Sequence, residues 1–151
     1  MSKASVNEGA KGWLMVLIVV VGLLMPLGQL GSFIKLWNAA PVLESRFGDN
    51  WSVYFGLAST VGAVRAAICL YVADLLLNKK RPSTPRRAII GIWVALILLA
   101  MVSMAITASM ILGPVSYSGA MVSLFWSLLI CVIATAYLLR SKRVASTYGT
   151  S

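Results

Sequence analysis

Charged residues are missing from long stretches of this chain. None occurs from Trp13 to Ile34, and none from Ala88 to Leu139, where the apolar run is broken only by Gly113-Pro114. A helix rises about 1.5 Å per residue, so about 20 apolar residues cross about 30 Å of hydrocarbon. The second stretch therefore holds two crossings joined by a tight turn at Gly113-Pro114-Val115-Ser116. A further apolar run, Trp51 to Leu77, carries two charges inside it, Arg65 and Asp74. The pattern predicts an all-α polytopic membrane protein, a bundle of four transmembrane helices near 13–35, 52–77, 88–112 and 117–139. All 151 residues then form a single transmembrane domain, with loops at 36–51 and 78–87. The runs are continuous and do not alternate with period two, which argues against a barrel.

Composition points the same way. The chain is 60% hydrophobic and 11% charged, with a mean hydropathy of +0.89; soluble domains carry about 25% charged residues. The basic residues set the orientation. Lys3 and Lys11 precede the first span, Lys79, Lys80, Arg81, Arg86 and Arg87 fill the 78–87 loop, and Arg140, Lys142 and Arg143 follow the last span. The opposite side has only Lys35 and Arg46, offset by Glu44 and Asp49. Ten against two puts both termini and the 78–87 loop in the cytoplasm, an N-in/C-in topology. The net charge of +9 is thereby largely a consequence of topology. Nucleic-acid binding is the weaker explanation, since the cations are divided among three short segments, whereas anionic lipid headgroups would be attracted to all of them. Trp13, Trp37, Trp51, Tyr54, Tyr117 and Tyr137 fall where membrane interfaces belong. The first span is too long for a cleaved signal peptide and no A-x-A site follows it.

Helices in lipid associate through close backbone approach and interhelical hydrogen bonds. The fourth span has a small residue at every fourth position, Gly119, Ser123, Ser127, Cys131 and Thr135; the third has Gly91, Ala95, Ser103 and Thr107; the second groups Ser59, Gly62, Ala63, Ala66 and Ala67. These stripes fit intramolecular packing, and they also fit a face for a second membrane protein. Arg65 stands near the middle of the second span, where a charge costs roughly 2.5–3.5 kcal/mol on insertion scales. Asp74 is half a helical turn round from it and about 13.5 Å along the axis, too far to pair. Asp74 is expected to meet the Lys79–Arg87 cluster, which leaves Arg65 to neutral acceptors at similar depth, Ser103, Thr107, Ser123 and Ser127. Structural support, an anionic group or partner, and a conduction path are the three readings of Arg65. Pro26 should kink the first span and free the carbonyl of Gly22, making the helix irregular in its outer half, and Gln29 lies in the same span. Transporters with broken helices generally show repeated halves, but nothing matches Pro26 in the second half.

Pro41 would open a short interfacial helix within the 36–51 loop, with Val42, Leu43 and Phe47 downward and Glu44, Arg46 and Asp49 near water. That segment reads as a lid over the bundle or as a periplasmic docking surface carrying Trp37, Glu44, Arg46, Phe47 and Asp49.

Three short motifs carry a resemblance. Lys11-Gly12-Trp13-Leu14, Leu24-Met25-Pro26-Leu27, and the ending Tyr137-Leu138-Leu139-Arg140-Ser141-Lys142-Arg143-Val144 with Thr147-Tyr148 resemble those of a group of small bacterial inner-membrane proteins, domain of unknown function twenty-five sixty-nine. The family's Trp-Ile-Pro before the final tyrosine is Ala134-Thr135-Ala136 here, so the fourth helix need not kink. The resemblance implies a four-helix protein of the bacterial inner (cytoplasmic) membrane and supplies no catalytic site.

The chemistry available is sparse. The chain has no histidine and four carboxylates, so its serines lack an activating base, acid–base pairs are not assembled, and no metal-ligand set exists. No cofactor is implied. The favoured expectation is a non-enzymatic binding protein in the membrane, such as an immunity protein against a membrane-active toxin, or an accessory subunit, with homo-oligomers also open. Its candidate polar or partner-facing residues are Arg65, Gln29, Ser103, Ser123, Ser127 and Asp74. A small transporter or channel for a solute or lipid is the alternative.

Overall fold

The computed structural model describes residues 12–79, 81–110, 117–141, 144, 145 and 148, without the side chains of Arg46, Phe47, Met110 and residues 117–120. The described chain is helical throughout its long runs, and four helices are long and apolar enough to cross a membrane. Helix α1 covers residues 13–47, built from Trp13–Val19, a π-helical turn at Val20–Leu24 and Met25–Phe47. Helix α2 is Asp49–Asn78. Helix α3 covers residues 84–110, with a second π-helical turn at Val94–Leu98 between Thr84–Trp93 and Leu99–Met110. Helix α4 is Tyr117–Arg140. The Gly113–Ser116 turn lies outside the described residues, as do Lys3, Lys11, Lys80, Lys142, Arg143 and Thr147.

Two boundaries differ from expectation. Helix α3 begins at Thr84, four residues before the expected 88, which shortens the 78–87 loop; and the 36–51 segment is not a loop, since α1 continues through Pro41 to Phe47 and α2 begins at Asp49. Gly48 alone makes the turn, at φ 58°, in the left-handed region that favours glycine. Its N–H closes on the Glu44 carbonyl at 2.8 Å, its carbonyl accepts from Trp51 N–H at 3.0 Å, and Asp49 complements the start of α2. The physical reason is length. At about 1.5 Å per residue α1 is about 50 Å long, so its last third outruns about 30 Å of hydrocarbon. Polar residues there signal water, and helix-forming Leu, Ala and Glu keep the backbone helical in it.

The first span is irregular, but before the proline and not in its outer half: a π-turn occupies Val20–Leu24, and the helix is regular from Met25 to Phe47. Helix α4 runs unbroken through Ala134-Thr135-Ala136.

Helix α2 is the axis of the bundle, packing on α1 along one side and on α3 along the other; α4 packs on the first half of α3. The core is one-ended. Among the described residues, every buried apolar side chain except Trp51 lies toward the end where α1 begins, α4 ends and α2 connects to α3, here the tail end: Leu14, Ile18 and Val21 of α1, Cys69, Val72, Ala73, Leu75 and Leu76 of α2, Ala88, Ile92, Ala95 and Leu96 of α3, Cys131, Ala134 and Leu138 of α4, with Val144 and Tyr148 beyond it. At the opposite, hairpin end, α4 exposes Met121, Val122, Phe125 and Trp126.

Two glycines permit the close approach. A Cβ on Gly22 would stand 2.4 Å from the Ala73 Cβ, and one on Gly91 would stand 2.4 Å from Val72 Cγ2. Both α1 and α3 therefore touch α2 at neighbouring residues. Small-residue contacts of this kind draw dispersion energy from backbone proximity, which lipid cannot supply. Gly22→Ala and Gly91→Ala should each destabilise by about 1–3 kcal/mol through overpacking. Gly28→Ala, at a position with nothing within 4 Å, should be neutral or stabilising because alanine is the better helix former. Thermal unfolding of the three variants in one detergent checks this order.

Candidate functional site

The register of the helices follows from cross-contacts. Tyr54 meets Thr107 and Val72 meets Gly91, so α2 and α3 run antiparallel with Arg65 level with the Val94–Leu98 π-turn. Cys131 Sγ lies 3.9 Å from the Ile92 carbonyl, and Trp93 Nε1 donates to Thr135 Oγ1 at 3.0 Å. Those contacts put Ser127 of α4 at about the depth of Arg65, and Cys131 one turn nearer the tail end.

Arg65 stands on α2 where close packing ends. Below it toward the tail end are Cys69 and Cys131, both buried and both within electrostatic reach of its guanidinium. Above it the bundle loosens. Arg65 is half-buried; its Nε is shut away from solvent and has no hydrogen-bond partner among the described residues, and the same holds for the Ser59 hydroxyl on the same helix. Gln29 of α1 lies over Gly62, its Oε1 3.8 Å from where a Cβ would be. Gln29, Ser59 and Arg65 thus form a short polar track beside α2, with Gly62 leaving room for the amide. By contrast, the seam among Val21, Met25, Cys69, Gly91 and Leu96 has no room for a water molecule.

The other expected members divide. Ser127 is buried, one turn from Cys131, and belongs with the Arg65 neighbourhood. Ser123 is exposed one turn farther toward the hairpin end and is not part of it. Ser103 lies with Thr107, whose hydroxyl donates to the Ser103 carbonyl at 2.9 Å and accepts from Tyr54 Oη at 3.4 Å; this is a pin between α2 and α3 nearer the hairpin end. Asp74 is exposed, and its Oδ1 accepts from Asn78 Nδ2 at 2.5 Å on its own helix, so among the described residues the expected pairing with the basic loop is replaced by a local one. The reason is reach: Asn78 is one turn away on the same face, whereas Lys79, Arg81 and Arg87 line a pocket of their own.

Of the residues expected in a docking loop, Trp37 is 61% exposed, and Glu44 and Asp49 are exposed; Arg46 and Phe47 lie in helical backbone but their side chains are outside the described set. Trp37 joins Phe33, Phe55, Trp51 and Tyr54 in a chain of rings with centroids 5.6–6.2 Å apart that staples α1 to α2 near the hairpin end. Aromatic pairs of this geometry contribute about 0.5–1.5 kcal/mol each beyond buried area.

The tail holds what sequence reasoning missed. Val144 and Tyr148 are core residues, 1% and 2% exposed. The Tyr148 hydroxyl donates to the Leu76 carbonyl at 2.6 Å, satisfying one of the carbonyls that the end of α2 leaves open. Burial, and then the neighbouring Tyr137, push the Tyr148 hydroxyl above the usual tyrosine range. The signal available was the aromatic-apolar spacing Val144…Tyr148, i to i+4, beyond the last span. Among the described residues no group of three His, Cys, Asp or Glu side chains assembles to hold a metal.

A family model described as "Protein of unknown function (DUF2569)" matches residues 7–149. No curated protein and no solved structure matches the chain.

Tyr148→Phe removes the donor to a buried carbonyl and should cost about 1–3 kcal/mol. Because folding raises the Tyr148 pKa, the stabilisation is complete below the ordinary tyrosine pKa of about 10 and falls away as pH rises through the folded value. Unfolding followed against pH should show an alkaline loss in the parent chain that is absent in Tyr148→Phe.

Proposed function

The chain belongs to the DUF2569 family over nearly its whole length, and from this premise we propose that it is a non-enzymatic, multi-pass membrane protein that binds another protein within the bilayer. The observation that carries the reading is Arg65. A cation near mid-membrane is expensive and calls for a bundle interior, a cavity or a partner; here it stands at the edge of the packed core with its Nε unpartnered among the described residues, below a hairpin end where Phe125 and Trp126 of α4 are more than half exposed. A transmembrane segment carrying a carboxylate or amide acceptor would fill that opening and complete the hydrogen bonding of Arg65 and Ser59. An immunity protein occupying a membrane-active toxin and an accessory subunit of a larger complex are two forms of this activity, and a second copy of the chain is a third.

With ten cations toward the tail end, the positive-inside rule puts that end in the cytoplasm and suits a cytoplasmic membrane with both termini inside. Conduction of a solute draws on the same Gln29–Ser59–Arg65 track, yet the tail-end seam that such a path would meet is closed and apolar.

The test is a photo-crosslinking amino acid introduced at Phe125 in the native membrane. One discrete protein adduct is expected, lost in Arg65→Leu and retained in Arg65→Lys. Adducts to lipid alone, or an adduct indifferent to Arg65→Leu, would overturn the reading.

A further inference from the structure

The connection between α2 and α3 is a built pocket. Its floor is the Leu75 turn of α2, and its walls carry Asn78, Lys79, Arg81, Ser83 and Arg87 around a cavity of about 360 Å³. The backbone is held by three bonds: Arg81 N–H to the Lys79 carbonyl at 3.1 Å, Thr84 N–H to the Arg81 carbonyl at 2.9 Å, and Thr84 Oγ1 to the Lys79 carbonyl at 2.7 Å. Thr84 is itself buried, so the loop that presents the cations is fixed at its base. Among the described residues no carboxylate lines the cavity, and Asp74, the acid of α2 at this end, is engaged by Asn78.

Three features converge on one ligand class. Three cations with no lining acid favour an anion. The Ser83 hydroxyl stands at the start of α3 without a capping bond, beside the positive end of a helix dipole. The pocket also lies between the ends of two helices long and apolar enough to span a membrane, where the headgroups of a bilayer would meet it, and Leu75 is in its lining. Basic pockets between transmembrane helices hold phosphate headgroups by this combination, and a planar guanidinium takes phosphate oxygens two at a time.

We propose that this pocket binds the phosphate of an anionic lipid headgroup, with Arg81 and Arg87 as the principal ligands, Lys79 adding charge and Ser83 donating a hydrogen bond. Bound there, the lipid would tie the α2–α3 connection to the bilayer surface and hold the tail end, where the core is concentrated, at fixed depth. The site is distinct from Arg65 and does not depend on the partner-binding reading.

The experiment titrates the purified full chain, in a zwitterionic detergent, with short-chain phosphatidylglycerol, with the matching phosphatidylcholine and with inorganic phosphate, reading retained adducts by native mass spectrometry and the shift in unfolding temperature. Phosphatidylglycerol should bind and raise the unfolding temperature. The double variant Arg81→Gln/Arg87→Gln should weaken that binding by about tenfold or more, with its unfolding temperature without lipid unchanged. Arg86→Gln, outside the pocket lining, should bind as the parent does. Equal weakening by Arg86→Gln, or equal binding of phosphatidylcholine, would reduce the effect to diffuse surface charge and overturn the proposal. Inorganic phosphate binding as tightly as phosphatidylglycerol would overturn the lipid as its source.

Discussion

Hydrocarbon offers helices no water-driven attraction, so this bundle depends on how near its backbones can come. That approach is made at one level, where Gly22 of α1 meets Ala73 and Gly91 of α3 meets Val72 on adjacent residues of α2. The facing positions, Cys69, Val72, Ala73, Leu75 and Leu76 of α2 and Ala88, Ile92, Ala95 and Leu96 of α3, bury together because the glycines let them. The first π-turn includes Gly22, and the second begins three residues after Gly91; each shifts the register of its helix where it closes on α2. From that level toward the tail end the protein is packed, and from it toward the hairpin end it opens.

The tail end is closed a second time by the chain itself. Tyr148 returns beneath α2 to give the Leu76 carbonyl a donor, and Val144 fills the space beside it. At the far end an aromatic staple from Phe33 to Phe55 holds the single-residue turn at Gly48. Arg65 lies between these two closures, where neither reaches it. That position leaves the Nε of Arg65 buried and unpartnered among the described residues, which is why we propose that a partner supplies its acceptor.

Much of the fold was legible before any coordinates. Charge-free runs of about 20 residues have one physical solution in lipid, and the four spans follow from them. That α1 is irregular, though not where, and the Ser127–Cys131–Thr135 face of α4 were readable from the sequence as well. The 36–51 segment was not, because polarity reports contact with water and helicity persists in water when Leu, Ala and Glu supply it. The role of Tyr148 was hidden because a basic tail reads as a solvated one. Of the candidate site, composition and depth point to Arg65, Gln29 and Ser127; Ser59 reads in sequence only as a small residue, and Ser123 shares the helical spacing of Ser127 because periodicity does not reveal where a bundle splays. The 79–87 pocket was visible in sequence only as charge, since its walls are made by a turn held on Thr84.

The account rests on four membrane crossings with Arg65 within the bilayer. Its most direct test is labelling by a membrane-impermeant maleimide of single cysteines, Ser45→Cys, Ser83→Cys and Arg65→Cys, in a chain whose Cys69 and Cys131 are replaced by alanine. Ser45→Cys should label from one face only, Ser83→Cys from the other face only, and Arg65→Cys from neither. Labelling of Ser45→Cys and Ser83→Cys from the same face, or of Arg65→Cys as readily as of Ser83→Cys, would contradict it.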